Sequence, residues 1–123
     1  MEHNCLKFVE YSGQEIIPGV QTEFFFGHTE EMMGLHISTQ KGKFFYCADL
    51  IPSSYHIGLP YIMAYDLRPL DTLTEKTRIL KSAVEHNEYL LFEHDPQTGC
   101  VTVKTDDRGR IVIDQHISLD SFF

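Results

Sequence analysis

Apolar residues fall in short clusters along this chain. "TEFFFG" at 22–27, "KFFYC" at 43–47, "YLLF" at 89–92 and "RIVI" at 110–113 are each bounded by polar or glycine-bearing stretches. Clusters of this length, rich in aromatic and β-branched side chains, predict strands. Ser12-Gly13 and Pro18-Gly19 are turn signals that bracket strands near 15–17 and 20–26. "MGLHIST" and "KGKFFYCAD" predict a hairpin closed by Gln40-Lys41-Gly42, and "GCVTVKT" with "GRIVIDQ" predicts a second around Asp106 to Gly109. "CLKFVEY" at 5–11 alternates as a further strand would.

The pattern changes period once. From Thr72 to His86, Leu73, Thr77, Leu80 and Val84 fall on one helical stripe, and Glu75, Lys76, Lys81 and Glu85 are expected to point away. Thr72 and Glu75 have capping-box spacing, so the helix is expected to start there. Between the second hairpin strand and this helix, "LIPSSYHIGLPYIMAYDLRPL" carries Pro52, Pro60 and Pro69, which forbid a continuous helix or strand. It predicts an ordered loop bearing Tyr55, His56, Tyr61 and Tyr65. Met32 and Met33 are expected in the core and His36 as a hydrogen-bonded strand histidine; Tyr65 and Asp66 could support a site, with the turn reading preferred for Asp66.

Composition narrows the classes. With 123 residues and 42% hydrophobic positions, the chain is expected to form a single domain over 1–123 with a real core. A net charge of −8 without any basic cluster argues against nucleic acid as a partner. No apolar run approaches membrane-spanning length, and "MEHNCLKFVEYSGQE" has no export-signal pattern. Cys5, Cys47 and Cys100 are odd in number and form no C-x-x-C, which fits reduced thiols and a cytoplasmic location. His3 stands alone, without a His-x-His neighbour.

The candidate chemistry sits where strands give way to loops. His28 follows "TEFFFG", Asp49 follows "KFFYCA" and His94 follows "YLLFE". Each alone reads as an ordinary cap or turn residue. Together, at one rim of a layered sheet, they would form an open metal site suited to zinc or iron, since magnesium or calcium would call for more oxygens.

"GHT" after a strand, "ADLIPSSYHIGLPYIMAYD" at 48–66, a capped helix and "LLFEHDP" together resemble the C-terminal half of metallo-β-lactamase-fold hydrolases, over roughly residues 12–105. The resemblance implies an α+β fold: half of a four-layer αβ/βα sandwich, with a mostly antiparallel sheet and one main helix. It implies that His28, Asp49 and His94 are metal ligands, with Asp49 bridging two ions and acting as the catalytic carboxylate. The ions are usually zinc, with iron or manganese as alternatives, and hold a bridging hydroxide about 3.5–4 Å metal to metal. That hydroxide would cleave a small-molecule ester, thioester, lactone, lactam or phosphoester. Thr29 is a candidate for orienting His28, and His56 for facing substrate or metals. The family's His-x-His-x-Asp-His motif has no counterpart here. This chain alone is therefore expected to hold metal weakly or not at all, to hydrolyse little, and to self-associate through the face the missing N-terminal half would cover. The alternatives are a non-catalytic oligomeric binding module and one half of a split enzyme.

Overall fold

A computed structural model describes residues 6–122. Seven strands form one sheet in chain order: β1 Glu15–Ile17, β2 Val20–Phe25, β3 Met32–Thr39, β4 Gly42–Tyr46, β5 Tyr89–Leu91, β6 Cys100–Thr105 and β7 Ile111–Ile117. Every neighbouring pair is antiparallel except β4 and β5, which run parallel. Parallel neighbours need a crossover, and here it contains the long loop and the helix α1, Pro69–His86.

The sheet has a helix-covered face. Phe45 pairs with Leu90, and Leu90 with Val101, so their side chains point to the same side. There they meet Ile79, Leu80 and Ala83 of α1 in the core, with Phe25 edge-on to Phe45 at 5.9 Å. The other face carries Phe44 and Tyr89, stacked at 5.0 Å, which Phe122 of the final 3-10 turn meets edge-on.

Several expectations change. The helix begins at Pro69, three residues earlier than its predicted start, because proline's fixed φ suits the first helical position. Thr72 and Glu75 form no capping box: both side chains reach out of the helix to other segments. The inward face is Thr72, Lys76, Ile79, Leu80 and Ala83, while Leu73, Thr77 and Val84 are only partly buried. Lys76, expected in solvent, is fully buried, and its ammonium donates to the carbonyls of Gly58 (2.7 Å) and Tyr61 (2.9 Å). Met32 packs on the core, but Met33 points to the other face and is 44% exposed.

Leu6 to Glu10 is not a strand: Leu6 and Phe8 are exposed, and alternation without a neighbouring strand makes no ladder. His3 and Cys5 lie outside the described residues, whereas Cys47 and Cys100 are buried free thiols. Among the described residues no helix is long and apolar enough to cross a membrane.

Candidate metal centre

Past the end of β2 the chain turns at Gly27 onto the start of α1. A Cβ there would lie 2.3 Å from the backbone nitrogen of Thr72, so only glycine permits this approach. Glu75 accepts hydrogen bonds from the backbone N–H groups of Phe26 and Gly27, at 2.8 and 3.2 Å. The Arg68 guanidinium donates to the Phe26 carbonyl, and the backbone N–H groups of Leu67 and Arg68 donate to the carbonyls of His28 and Gly27. His28 thus emerges from a backbone held at both ends.

Its ring is held as well. His28 Nδ1 lies 2.8 Å from Asp66 Oδ1, and the other oxygen of Asp66 accepts the Thr72 hydroxyl at 2.8 Å. With Nδ1 occupied by a carboxylate, Nε2 becomes the nitrogen with a lone pair to offer. Asp66, expected as a turn residue, is 9% exposed and performs the orienting role proposed above for Thr29. Thr29 is exposed, and its hydroxyl has no hydrogen-bond partner among the described residues.

Asp49 sits in a 3-10 turn, Ala48–Leu50, directly after β4. Ala48 adopts φ 45°, a left-handed conformation that alanine rarely tolerates, and such strain concentrates at functional sites. The Cys47 N–H donates to the Leu91 carbonyl at 3.0 Å, extending the β4–β5 pairing to the turn. That pairing brings Asp49 beside the end of β5, and therefore beside His94.

His94 donates its backbone N–H to the Pro52 carbonyl, and Asp95 fixes the same corner. The Asp95 carboxylate accepts from the Ser54 hydroxyl and N–H and from the N–H groups of Gln97 and Thr98. Burial raises its pKa, but these hydrogen bonds outweigh that effect and hold the carboxyl at about 2.

The three expected ligands therefore meet at one rim. His28 Nε2 lies 3.5 Å from Asp49 Oδ2, and His94 Nε2 lies 3.1 Å from Asp49 Oδ1. Two ligands of one zinc ion, each about 2.0–2.2 Å from it, stand about 3–3.5 Å apart. Each imidazole–carboxylate pair has that spacing, but the pairs use different oxygens. Accordingly, among the described residues no group of three or more His, Cys, Asp or Glu closes on a single ion. The arrangement is one carboxylate with an imidazole at each of its two oxygens.

His56 stands apart from these pairs. Its Nδ1 is 2.8 Å from the Ser53 hydroxyl, and it lines a cavity with His94 and Tyr65. Sequence reasoning did not assign Glu75, Arg68 and Lys76 to the site's support. Their partners lie up to 49 residues away, so no local spacing marks them.

No protein-family model matches this sequence, and no curated protein matches it either. Solved structures do. A probable metal-dependent hydrolase from Staphylococcus aureus superposes with a TM-score of 0.75 at 21% identity, over 90% of this chain and 41% of that one. AidC, a dizinc quorum-quenching lactonase in complex with a homoserine product, gives a TM-score of 0.74 at 19% identity, over 89% and 38%. An N-acyl homoserine lactone hydrolase, with product bound at its catalytic metal centre, gives 0.63 at 21% identity, over 74% and 36%. The chain spans less than half the length of each. It has part of a metallo-β-lactamase-like α+β fold, consistent with the C-terminal half.

Proposed function

We propose that this chain is the C-terminal portion of a metal-dependent hydrolase that cleaves an ester, thioester, lactone, lactam or phosphoester in a small molecule. The observation that carries the reading is Asp49, with one imidazole Nε2 at each carboxylate oxygen, at 3.5 and 3.1 Å. A carboxylate so placed is suited to bridge two ions, with His28 a ligand of one and His94 of the other. Nitrogen and oxygen donors in this mixture suit zinc, iron or manganese. When bound, such ions supply Lewis acidity and lower the pKa of water toward 7.

The chain's own residues have separable parts in this. Asp66 holds His28 in the tautomer that presents Nε2 to the rim. Asp95 and the Pro52 carbonyl hold the His94 corner against the 52–56 loop. The remaining ligands would come from a segment with no counterpart here. Among the structures named above, AidC is a dizinc lactonase and another hydrolyses an N-acyl homoserine lactone, which supports this class of chemistry. We extend the reading to self-association through the sheet face opposite α1, where Met33 is 44% exposed.

Zinc titration of the chain, followed at the His28 and His94 ring protons, tests the ligand assignment. Both rings should shift together in the wild type and neither in Asp49→Ala. Hydrolysis of a lactone panel by the chain alone should stay near background. Full turnover by a correctly sized chain, or zinc binding that ignores Asp49, would overturn the reading.

A further inference from the structure

The segment between the Ser54–His56 turn and α1 is held by the buried face of α1 at two points, one helical turn apart. The Thr72 hydroxyl donates to Asp66 Oδ2 at 2.8 Å. One turn further along, the Lys76 ammonium donates to the carbonyls of Gly58 (2.7 Å) and Tyr61 (2.9 Å). The turn that Lys76 grips is closed by its own hydrogen bond, from the Tyr61 N–H to the Gly58 carbonyl at 3.0 Å. A Cβ on Gly58 would lie 2.8 Å from the Tyr61 ring, so only glycine lets the turn close this tightly.

The same segment carries Asp66. Its Oδ1 lies 2.8 Å from His28 Nδ1, and the next two N–H groups, of Leu67 and Arg68, donate to the carbonyls of His28 and Gly27. Lys76 and His28 thus stand at the two ends of one tethered segment.

A buried lysine is a costly choice for such a clamp. Its direct partners are carbonyls, which bring no opposite charge. Burial lowers its pKa to about 8, against the pull of Asp66, so the group is an ammonium at pH 7. Methionine would fill the space of the stem with no charge to desolvate, and exchanges of buried charge for well-packed apolar side chains are often neutral or stabilising. Stability gives no reason for a lysine here; position does. An ammonium directs charge-assisted hydrogen bonds at both carbonyls. Its charge also reaches His56 on the same segment, where it adds to burial in holding that imidazole below its ordinary pKa.

We propose that Lys76 is a positioning residue for the rim: it fixes the 58–66 segment so that Asp66 meets His28 Nδ1, and through Asp66 it sets which nitrogen His28 presents toward Asp49. This rests on the hydrolase reading only for the use made of that nitrogen; the alignment itself needs no metal. His94 is held by the Pro52 carbonyl and lies outside this chain of contacts.

The test is nitrogen-15 NMR of the histidine rings in the metal-free 123-residue chain, which reads the ratio of the Nδ1–H to the Nε2–H tautomer at each ring. In the wild type His28 should be held as Nδ1–H. Lys76→Met should lower that ratio about 3–10-fold at His28 and leave His94 unchanged. Lys76→Gln, which keeps one polar donor, should act in the same direction and less, and it reads the clamp should the methionine variant not fold. Ile79→Val, a core truncation on the same face of α1, should lower stability without moving the His28 ratio. In an Asp66→Ala background, Lys76→Met should add nothing at His28. An unchanged His28 ratio in both Lys76 variants, equal changes at His28 and His94, a matching change in Ile79→Val, or a further effect once Asp66 is gone would each overturn the proposal. Zinc, titrated into the same samples, separates the two readings. A Lys76 effect on the ratio without zinc shifts at His28 and His94 leaves the clamp standing and removes the metal centre; zinc shifts at both rings without a Lys76 effect do the reverse.

Discussion

His36 and His28 each meet a carboxylate, near opposite ends of β2, and the two meetings differ in what they leave over. His36 Nε2 is 2.6 Å from Glu23, and its ring packs on Phe45 at 4.8 Å. The other oxygen of Glu23 takes Arg78 at 2.5 Å, and that guanidinium lies 5.7 Å over the Phe25 ring. Burial works against ionisation of Glu23, but hydrogen bonds from His36 and Arg78 outweigh it and hold its pKa below the ordinary value. Both of its oxygens are occupied and its charge is matched. At the rim, His28 Nδ1 is occupied by Asp66, but its Nε2 stands 3.5 Å from Asp49, longer than a hydrogen bond. Among the described residues Asp49 has no lysine or arginine partner, only two imidazoles. A histidine–carboxylate pair by itself says little about function. What distinguishes the rim is a carboxylate with no permanent cation and an imidazole with one nitrogen fixed and the other uncommitted.

The sharpest way to break this comparison is to remove the two carboxylates and measure zinc affinity by calorimetry. On the proposed reading Asp49→Ala takes away the carboxylate that serves both His28 and His94, so affinity should fall by more than the about 10–100-fold typical of losing a supporting hydrogen bond. Glu23→Ala should leave zinc affinity unchanged. An equal loss in both variants would erase the distinction. Asp66→Ala comes next and should lie within that range of about 10–100-fold, because the His28 ring loses its orienting partner. Glu23→Ala should show its effect in urea unfolding instead, a loss of about 1–3 kcal/mol from His36 and Arg78 left without their acceptor.

The last effect concerns the other buried charge. Burial lowers the Lys76 pKa to about 8 from 10.5, against the pull of Asp66. Between those values the unfolded chain holds a proton that the folded chain has released, so this group makes stability rise with pH. The urea midpoint of the wild type should therefore gain on that of Lys76→Met from about pH 8 to 10. A constant difference would show that Lys76 titrates normally in the fold.

Much of this was visible in the sequence. The β3–β4 and β6–β7 hairpins follow from alternation and turn residues, and His28, Asp49 and His94 were marked by their places at strand ends. What was hidden depends on contacts distant along the chain. Thr72 and Glu75 looked like a capping box because their spacing is local, but the acceptors and donors they use lie on Asp66, Phe26 and Gly27. Lys76 looked solvated because lysine usually is; nothing nearby announces that the carbonyls of Gly58 and Tyr61 will fold over it. Asp66 looked like a turn residue for the same reason. Sequence patterns report which way a side chain faces far better than whom it meets.

The single parallel pairing has a kinetic consequence. β4 and β5 are joined only after the intervening loop and α1 have closed into a crossover, a non-local event that is slow compared with hairpin formation. The hairpins on either side can zip up without it. Asp49 and His94 ride on those two strands, so they become neighbours only when that last seam closes. On the proposed reading, metal capture would be reserved for chains that have finished folding.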